Sequence, residues 1–534
     1  MSCEVRQTVK RRPVVPAGHG ELLEQPSYSE WREALEANLT AISGWSFQVA
    51  GVGAKALRES AREELLAQAS TFSARLGVPV RPHSAAEMRA PLIVTGHQPD
   101  LYHPGIWVKN FLLQRFAREQ SADSLDLVVD SDGFDHVAVT SPCLVPEPRR
   151  CVHYLAVGGA GSCYATAPVP SHEHVEAFCS AVLGSLAGLS SPAPARHFTE
   201  FCSHLHTALP DATDLAEVVT FARRRYEATS GTDYPELPVT TMARSASFAR
   251  FIVHVAGNAA TFAAAYNAEL EVYRNLTRTR SKVQPFPDLE IDAGSVELPF
   301  WRIADGVRAP VRAVIGEDGG VTLATASGAF LAIPADPESA IVTLAESGEI
   351  LAPKALALTM FVRLFVADLF IHGVGGGRYD RITDGVIRRF FGVEPPSYVV
   401  ASLTVYLPLG AHIVEENELS VLRERINRLE HNPDAALGEA DFASARERDE
   451  AMALADEKAR LVTEISRPDA DRKTLGLRIR GVNDELAQVV SPLREALEDD
   501  LRRLEGMHQA AEILTDRSYP FCFWNPCDVA DKAW

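Results

Sequence analysis

The chain has 534 residues, 46% hydrophobic and 23% charged, the proportions of a globular protein long enough for several domains and a sizeable core. Acidic residues outnumber basic ones by 71 to 52, a formal net charge of −19, and with no basic block to offset it such a chain repels a phosphate backbone, which argues against nucleic acid as a partner. No apolar run reaches the roughly 18–20 residues that span a bilayer, and the opening MSCEVRQTVKRRPVV lacks the apolar stretch of a secretory leader, so the expectation is a cytoplasmic protein without a membrane partner.

Residues 1–90 read as a helical segment packing on a core. Tyr28–Trp31 opens one amphipathic stretch and Ala54–Leu76 another, with apolar residues at three- and four-residue spacing. APLIVTGHQP then ends a short buried strand on turn residues. Gly105–Arg118 reads as a helix with Ile106, Phe111, Leu112, Phe116 and Ala117 on its apolar side. LDLVVDSDGFDH is a second apolar run that closes in acids. Strand, helix, strand is a βαβ unit, whose strands pair in parallel. It makes residues 91–150 the first half of a Rossmann-like core.

Residues 151–290 read as an inserted connecting region, mostly helical. It holds the small-residue stretch VGGAGSCYATAPVPS, either a loop over the site or a hairpin turn. Glu173–Leu186 reads as one helix and Arg244–Arg274 as another, carried by Phe248, Phe251, Ile252, Val255, Phe262 and Tyr266. Residues 291–410 read as the second half of the core. FPDLEIDAGSVELPFWRI is loop then strand, and Val307–Leu331 carries short strands with glycine turns. Lys354–Leu369 is a helix or a helix leading into a strand. LFIHGVGGGRYDRITDGVIRRFFG repeats the opening pattern of strand, glycine-rich turn and helix, the helix starting near Asp380.

Residues 411–515 change character. Leu419, Leu422, Ile426 and Leu429 recur at helical spacing. After a break near HNPDAALG, Leu475, Ile479, Val482, Leu486, Val489 and Leu493 alternate four- and three-residue steps, a heptad-like seam. An antiparallel helical hairpin or coiled coil is expected, turning at Ser466–Ala470, with Pro492 bending or restarting its second arm. The aromatic tail, residues 516–534, is expected to pack back on the body. The eight cysteines (Cys3, Cys143, Cys151, Cys163, Cys179, Cys202, Cys522 and Cys527) are scattered, without a C-x-x-C pair. No disulfide framework is expected in a chain of this kind. Cys522 and Cys527 read as small buried apolar groups in preference to half a metal site.

Ligands of open parallel sheets bind beyond the carboxyl ends of the strands. Thr95, Gly96, His97 and Gln98 stand at one such end. Asp130, Asp132, Asp135 and His136 stand at the next. The run from His372 to Gly377, with Gly373, Gly375 and Gly376, has the same setting. The three loops are expected to line one crevice. The helix starts after Pro104-Gly105 and after the glycine run suit a phosphate or carboxylate, with His103 and Lys109 near the same anion. Each element also has a purely structural reading, as a tight turn, a helix cap or a satisfied core histidine. Neither a Walker A motif nor G-x-G-x-x-G is present. One chemistry is a divalent metal held by His97, His103, Asp130, Asp132 and His136, which makes the protein a metal-dependent hydrolase. In the other, His97 and Gln98 stabilise charge on a phosphate or acyl group while Asp130 and Asp132 bind an ammonium group or Mg²⁺. A third reading is a non-catalytic nucleotide-binding scaffold that dimerises through its helices.

IVTGHQPDLYHPGIWVKNFLL resembles the TGQQ-type first strand and helix of the bacillithiol-biosynthesis cysteine-adding enzyme family (BshC). LVVDSDGFDHVAV is similar to that family's acidic second-strand segment. DLFIHGVGGGRYD resembles its late glycine-rich strand and turn, with Tyr379 as the tyrosine beyond. The resemblance spans the chain loosely, and its motifs occupy a small part of it. It implies an α/β fold with a Rossmann-like parallel sheet like that of nucleotidyltransferases, helical insertions and a C-terminal antiparallel coiled coil that forms a homodimer. It also implies a ligase that joins cysteine to a glucosaminyl-malate acceptor; whether the step is nucleotide-dependent, with ATP or ADP and Mg²⁺, or acyl-activated stays open, since no cofactor motif decides it. Carried over by position, the core-edge residues are Gly96, His97, Gln98, Asp130, Asp132, Gly375, Gly376 and Tyr379. The chain departs from the family at His97, where glutamine is usual, at its Asp-Ser-Asp acidic segment, and at Gly375–Arg378, where an acid is expected. These departures point to a divergent branch with another amine or acid as substrate.

Overall fold

The computed structural model describes residues 13–82, 90–144, 149–281, 283–408, 414–435, 437, 442 and 444–533. Cys3, most of the basic N-terminal stretch and part of the HNPDAALG break lie outside them. The chain is a mixed α/β protein around a largely parallel sheet. Its strands are β1 (Glu21–Gln25), β2 (Leu92–His97), β3 (Asp123–Val128), β4 (Glu236–Pro238), β5 (Leu369–His372) and β6 (Tyr398–Thr404). They lie in the order β1-β6-β5-β2-β3-β4, all parallel except β1, which runs antiparallel along β6 with Glu21 opposite Thr404.

The central strands β2, β5 and β6 are near-continuous apolar runs because both sheet faces are covered. Helix α1 (Pro104–Glu119) joins β2 to β3, and helix α2 (Val374–Phe391) joins β5 to β6. Trp107, Val108 and Phe111 of α1 pack with Ile93, Ile371 and Val399 on one face. Ile382 and Val386 of α2 pack with Val94, Phe370 and Val400 on the other. The adjacent strands β2 and β5 therefore send the chain to opposite faces and toward opposite sheet edges. A crevice opens between their carboxyl ends, as it does wherever strand order reverses in an open parallel sheet.

The structure corrects four readings of the sequence. First, the N-terminal segment is not all helix. ELLEQ lies between Gly20 and the cis-bonded Pro26, too short a run for a helix, and it pairs with the free edge of β6. Second, residues 291–410 do not all continue the central sheet. Ser295–Ala304, Val307–Ile315, Val321–Thr325, Gly328–Ile333 and Ile350–Pro353 form a separate antiparallel sheet. Their short connections, with Gly306, Gly319 and Gly328 at positive φ, make hairpins, whereas parallel pairing needs a long crossover. The strand β4 comes instead from the region read as inserted. Third, Arg244–Arg274 is two helices, Ala246–Gly257 and Ala259–Thr277, bent by 88°. Asn258 leaves helical geometry (φ −120°, ψ 29°) and its amide caps the His254 carbonyl at 2.8 Å. Fourth, α2 begins at Val374 with Gly373 as its N-cap, so the glycine run forms the first helical turn and not a loop before Asp380.

Among the described residues, no single helix is long and apolar enough to cross a membrane. The bent pair satisfies length and composition together, but its Phe248, Phe251, Val255 and Phe262 lie in the core. The helical hairpin consists of Glu416–His431 and Ala445–Ile465 running out, and Arg472–Val489 and Ser491–Leu514 running back. The first packs on the last and the second on the third. The arm turns at Ser466–Ala470. Pro492 restarts the return arm from a first helical turn, where its missing N–H is of no consequence. Tyr519, Phe521, Cys522 and Phe523 bury the tail against the α1 face. The seven described cysteines are free.

Candidate active site

A cavity of about 540 Å³ occupies the crevice, within the usual range for small-molecule sites. The end of β2 contributes Gly96, His97 and Gln98, and the start of α1 contributes His103, Gly105 and Lys109. Ser131 and Asp132 follow β3. The second sheet contributes Trp301 and Arg308, and the tail contributes Arg517. His372, Gly373, Gly375, Gly376, Tyr379 and Asp380 come from β5 and α2.

His103 is the N-cap of α1. Its Nδ1 accepts the Gly105 N–H at 3.0 Å, and Pro104 starts the helix without needing a partner. Gly105 must be glycine, since a Cβ there would stand 2.5 Å from the Leu403 carbonyl oxygen. One turn on, Lys109 is 2% exposed and donates from Nζ to the Gly96 carbonyl at 2.9 Å. Burial lowers its ammonium to about 8, against the pull of Asp126. Burial also lowers His97 to about 3, helped by Lys109, and His103 to about 4, helped by Arg517. Both imidazoles are therefore neutral at pH 7 and act as hydrogen-bonding groups, not charges.

Gln98 donates from Nε2 to Asp132 Oδ2 at 2.9 Å. Asp132 Oδ1 accepts from Arg308 at 2.7 Å and from the Gly133 N–H at 2.9 Å. Arg308 lies over the Trp301 ring, 4.6 Å from its centroid, so the second sheet delivers a neutralising cation to the rim. Arg517 differs in having no carboxylate partner among the described residues. It donates to Ser402 Oγ at 3.0 Å and to the Leu403 carbonyl at 2.9 Å, and its Nε is buried without a partner.

On the opposite wall, His372 Nε2 meets Asp380 Oδ2 at 2.8 Å. Asp380 also accepts from Arg363 at 2.7 Å and from the Thr359 hydroxyl at 2.6 Å. Burial disfavours the Asp380 charge, but Arg363 and His372 outweigh it and hold the carboxyl well below the usual range. The first N–H groups of α2 have no partner within the helix. They border the cavity through Val374, Gly375 and Gly376.

The structure brings together Gly96, His97, Gln98, His103, Lys109, Asp132, Gly373, Gly375, Gly376 and Tyr379, as expected from the three loops. Four expected residues lie elsewhere. Thr95 is fully buried and ties β2 to β5 through the Ile371 carbonyl at 2.8 Å. Asp135 and His136 are exposed, the His136 ring lying against Tyr154. Asp130 is 3% exposed and faces a separate cavity of about 200 Å³ with Asp214 and Glu217. Its carboxylate accepts the Thr240 N–H at 2.9 Å and the Thr240 hydroxyl. Strand β3 ends at Val128 and the chain turns at Asp130, so Asp130 and Asp132 do not share a side as strand alternation would require. His97, Asp130 and Asp132 therefore do not converge on one ion. Among the described residues, no three His, Cys, Asp or Glu side chains form a metal-binding group.

Trp301, Arg308, Asp380 and Arg517 are site residues that sequence reasoning missed. Trp301, Arg308 and Arg517 reach the cavity from elements outside the three loops and stand in no recognisable motif, whereas Asp380 lies on α2 beside Tyr379, at the end of DLFIHGVGGGRYD. Glycine flanking His372 was the one local signal for that wall. Compared with protein-family models and with curated proteins, the chain matches none.

Proposed function

We propose that the protein is a BshC-like ligase with a Rossmann-like core, joining an amino acid such as cysteine to an amine-bearing acceptor such as an amino-sugar conjugate. The carrying observation is Arg517, a guanidinium without a carboxylate partner among the described residues, on the same cavity as the starts of α1 and α2 and Lys109. The N-terminus of α2, the positive end of the α1 dipole and two cations select an anion, either the phosphates of ATP or ADP or the carboxylate of the acceptor. Neutral His97 and the Gln98 amide are hydrogen-bonding groups for the transferring phosphate or acyl group. Asp132, already held by Gln98 and Arg308, orients that amide. Where Mg²⁺ takes part, nucleotide phosphates supply most of its ligands and Asp132 is the cavity carboxylate nearest to that role.

The helical hairpin would serve as the coiled coil of a homodimer, since Val421, Val462 and Leu477 remain exposed on it. A monomeric mass in light scattering at micromolar concentration would contradict that. The metal-dependent hydrolase reading loses its support because its ligands diverge, and no specific observation favours a scaffold without catalysis.

A thermal-shift screen with ATP, ADP, pyrophosphate, cysteine and an amino-sugar malate conjugate tests the reading. A nucleotide or conjugate is expected to raise the unfolding midpoint by mass action, and Arg517→Ala is expected to abolish the rise. Stabilisation by none of the probes, or by all of them equally in Arg517→Ala, refutes the assignment.

A further inference from the structure

We propose that His372 is the proton acceptor of this cavity and Asp380 its positioning residue. The inference rests on the cavity being an active site, as argued above, and adds the group that removes a proton from the attacking substrate.

The ring's tautomer follows from its partners. Asp380 is bound by Arg363 and Thr359 as well as by His372, so it is ionised and can only accept hydrogen bonds. His372 must then donate from Nε2. A neutral ring that donates from Nε2 carries its lone pair on Nδ1. No described residue hydrogen-bonds to Nδ1, and His372 lines the cavity. His372 is 5% exposed, and a Cβ at position 376 would stand 2.7 Å from that nitrogen, so glycine at the third residue of α2 keeps a side chain from closing over Nδ1. The charged and titratable groups around the ring are Asp380 and Arg363 behind it, Lys109 across the cavity and the Tyr398 ring at 4.9 Å. Phe370 packs beside it at 4.4 Å.

The other cavity histidines suit the role less well. His97 has its Nδ1 on the Gln98 carbonyl at 3.2 Å and lacks a carboxylate partner among the described residues; burial and Lys109 oppose an imidazolium at both rings, and only at His372 does a carboxylate, Asp380, act against them. His103 uses its Nδ1 to cap α1. Only His372 has a carboxylate placed to stabilise the imidazolium that proton transfer creates, the arrangement that orients a general base without itself taking the proton. In the attack of an amine on an activated acyl group, such as an acyl phosphate, the N–C bond forms and the leaving group departs with its bonding pair. The nitrogen's N–H bond breaks, its electron pair stays on nitrogen, and the proton goes to Nδ1.

The test is carbethoxylation of the folded full chain by diethyl pyrocarbonate, which acylates only an unprotonated and accessible imidazole nitrogen, with sites mapped by peptide mass spectrometry. His372 is expected to take one carbethoxy group in the wild-type protein, and Asp380→Asn is expected to slow this by about tenfold, as loss of an orienting partner does. An unmodified His372 after the exposed His136 has reacted fully overturns the proposal. Long-range ¹⁵N–¹H spectra of histidine-labelled protein, assigned with His372→Gln, give a second readout on wild-type protein. They are expected to show the Nε2–H tautomer at neutral pH, and an Nδ1–H tautomer overturns the proposal. Neither experiment uses a ligand. A failed anion screen therefore leaves both results standing, and failure here leaves the anion assignment standing.

Discussion

Asp130→Asn is expected to stabilise the protein above neutral pH and to do little below pH 4. Burial raises the Asp130 carboxyl from 3.8 to about 7, with Asp214 adding repulsion and the Thr240 hydrogen bonds opposing the rise. In the unfolded chain the group titrates near its ordinary value. Its contribution to stability is thus fully present below pH 3.8, and it is lost as the pH rises through 7. At 1.36 kcal/mol for each tenfold change in proton affinity, carrying this charge above pH 7 costs about 4 kcal/mol. Asparagine removes the charge, and its carbonyl still accepts the Thr240 N–H. The swap therefore recovers a large part of that cost, about 2–3 kcal/mol after an allowance for a less favourable bond to the Thr240 hydroxyl. The assay is urea unfolding of both proteins at pH 4, 6 and 8, with the midpoint difference multiplied by the slope. The difference should grow with pH and level off above 7. A variant destabilised equally at all three pH values would show that Asp130 is ionised and satisfied in the folded state, and the reasoning would fail.

Replacing Asp368, which is 1% exposed between Arg58, Arg62 and the Leu92 N–H, by Ala should cost about 3–5 kcal/mol because two guanidinium groups lose their counterion. A loss below about 1 kcal/mol in urea unfolding would contradict that placement. Gly377→Ala drives a methyl group into Val400 and toward Tyr398. It should destabilise by about 1–3 kcal/mol despite the better helix propensity of alanine, and an unchanged or raised midpoint in thermal unfolding would argue against the observed packing of α2 on β6. Burial lowers Lys109 to about 8, so its charge is present below that pH and lost above it. Pyrophosphate affinity by calorimetry should accordingly fall as the pH rises from 7 to 9, and a flat profile would remove Lys109 from the anion site.

Much of the cavity was legible because it is built from strand ends followed at once by helix starts. The apolar run at Leu92–Val94, stopped by Gly96-His97-Gln98, and the run at Leu369–Ile371, stopped by His372-Gly373, each announce a buried strand with polar groups at its carboxyl end. Pro104 and Gly105 announce a helix N-terminus. Asp130 was misplaced because strand alternation carries information only while the strand lasts, and this one ends at Val128. The glycine run was misread because glycine after a strand more often marks a turn than a helix. In α2, contact with His372 and Val400 leaves no room for side chains at positions 376 and 377.

Local pattern by itself determined the βαβ unit, the strand-to-helix edge at Gly96–Gly105, the antiparallel helical hairpin and the burial of the aromatic tail. Each depends on hydrophobic period and on stop signals a few residues apart, which are properties of the chain at short range. The tertiary structure alone decided that β2 and β5 lie side by side, that ELLEQ completes the sheet, and that residues 291–353 close into a second sheet. It also brought Trp301, Arg308 and Arg517 to the cavity at the ends of β2 and β5. Pairing across hundreds of residues depends on which faces and edges remain unsatisfied once the local elements have formed, and no window of the sequence contains that information.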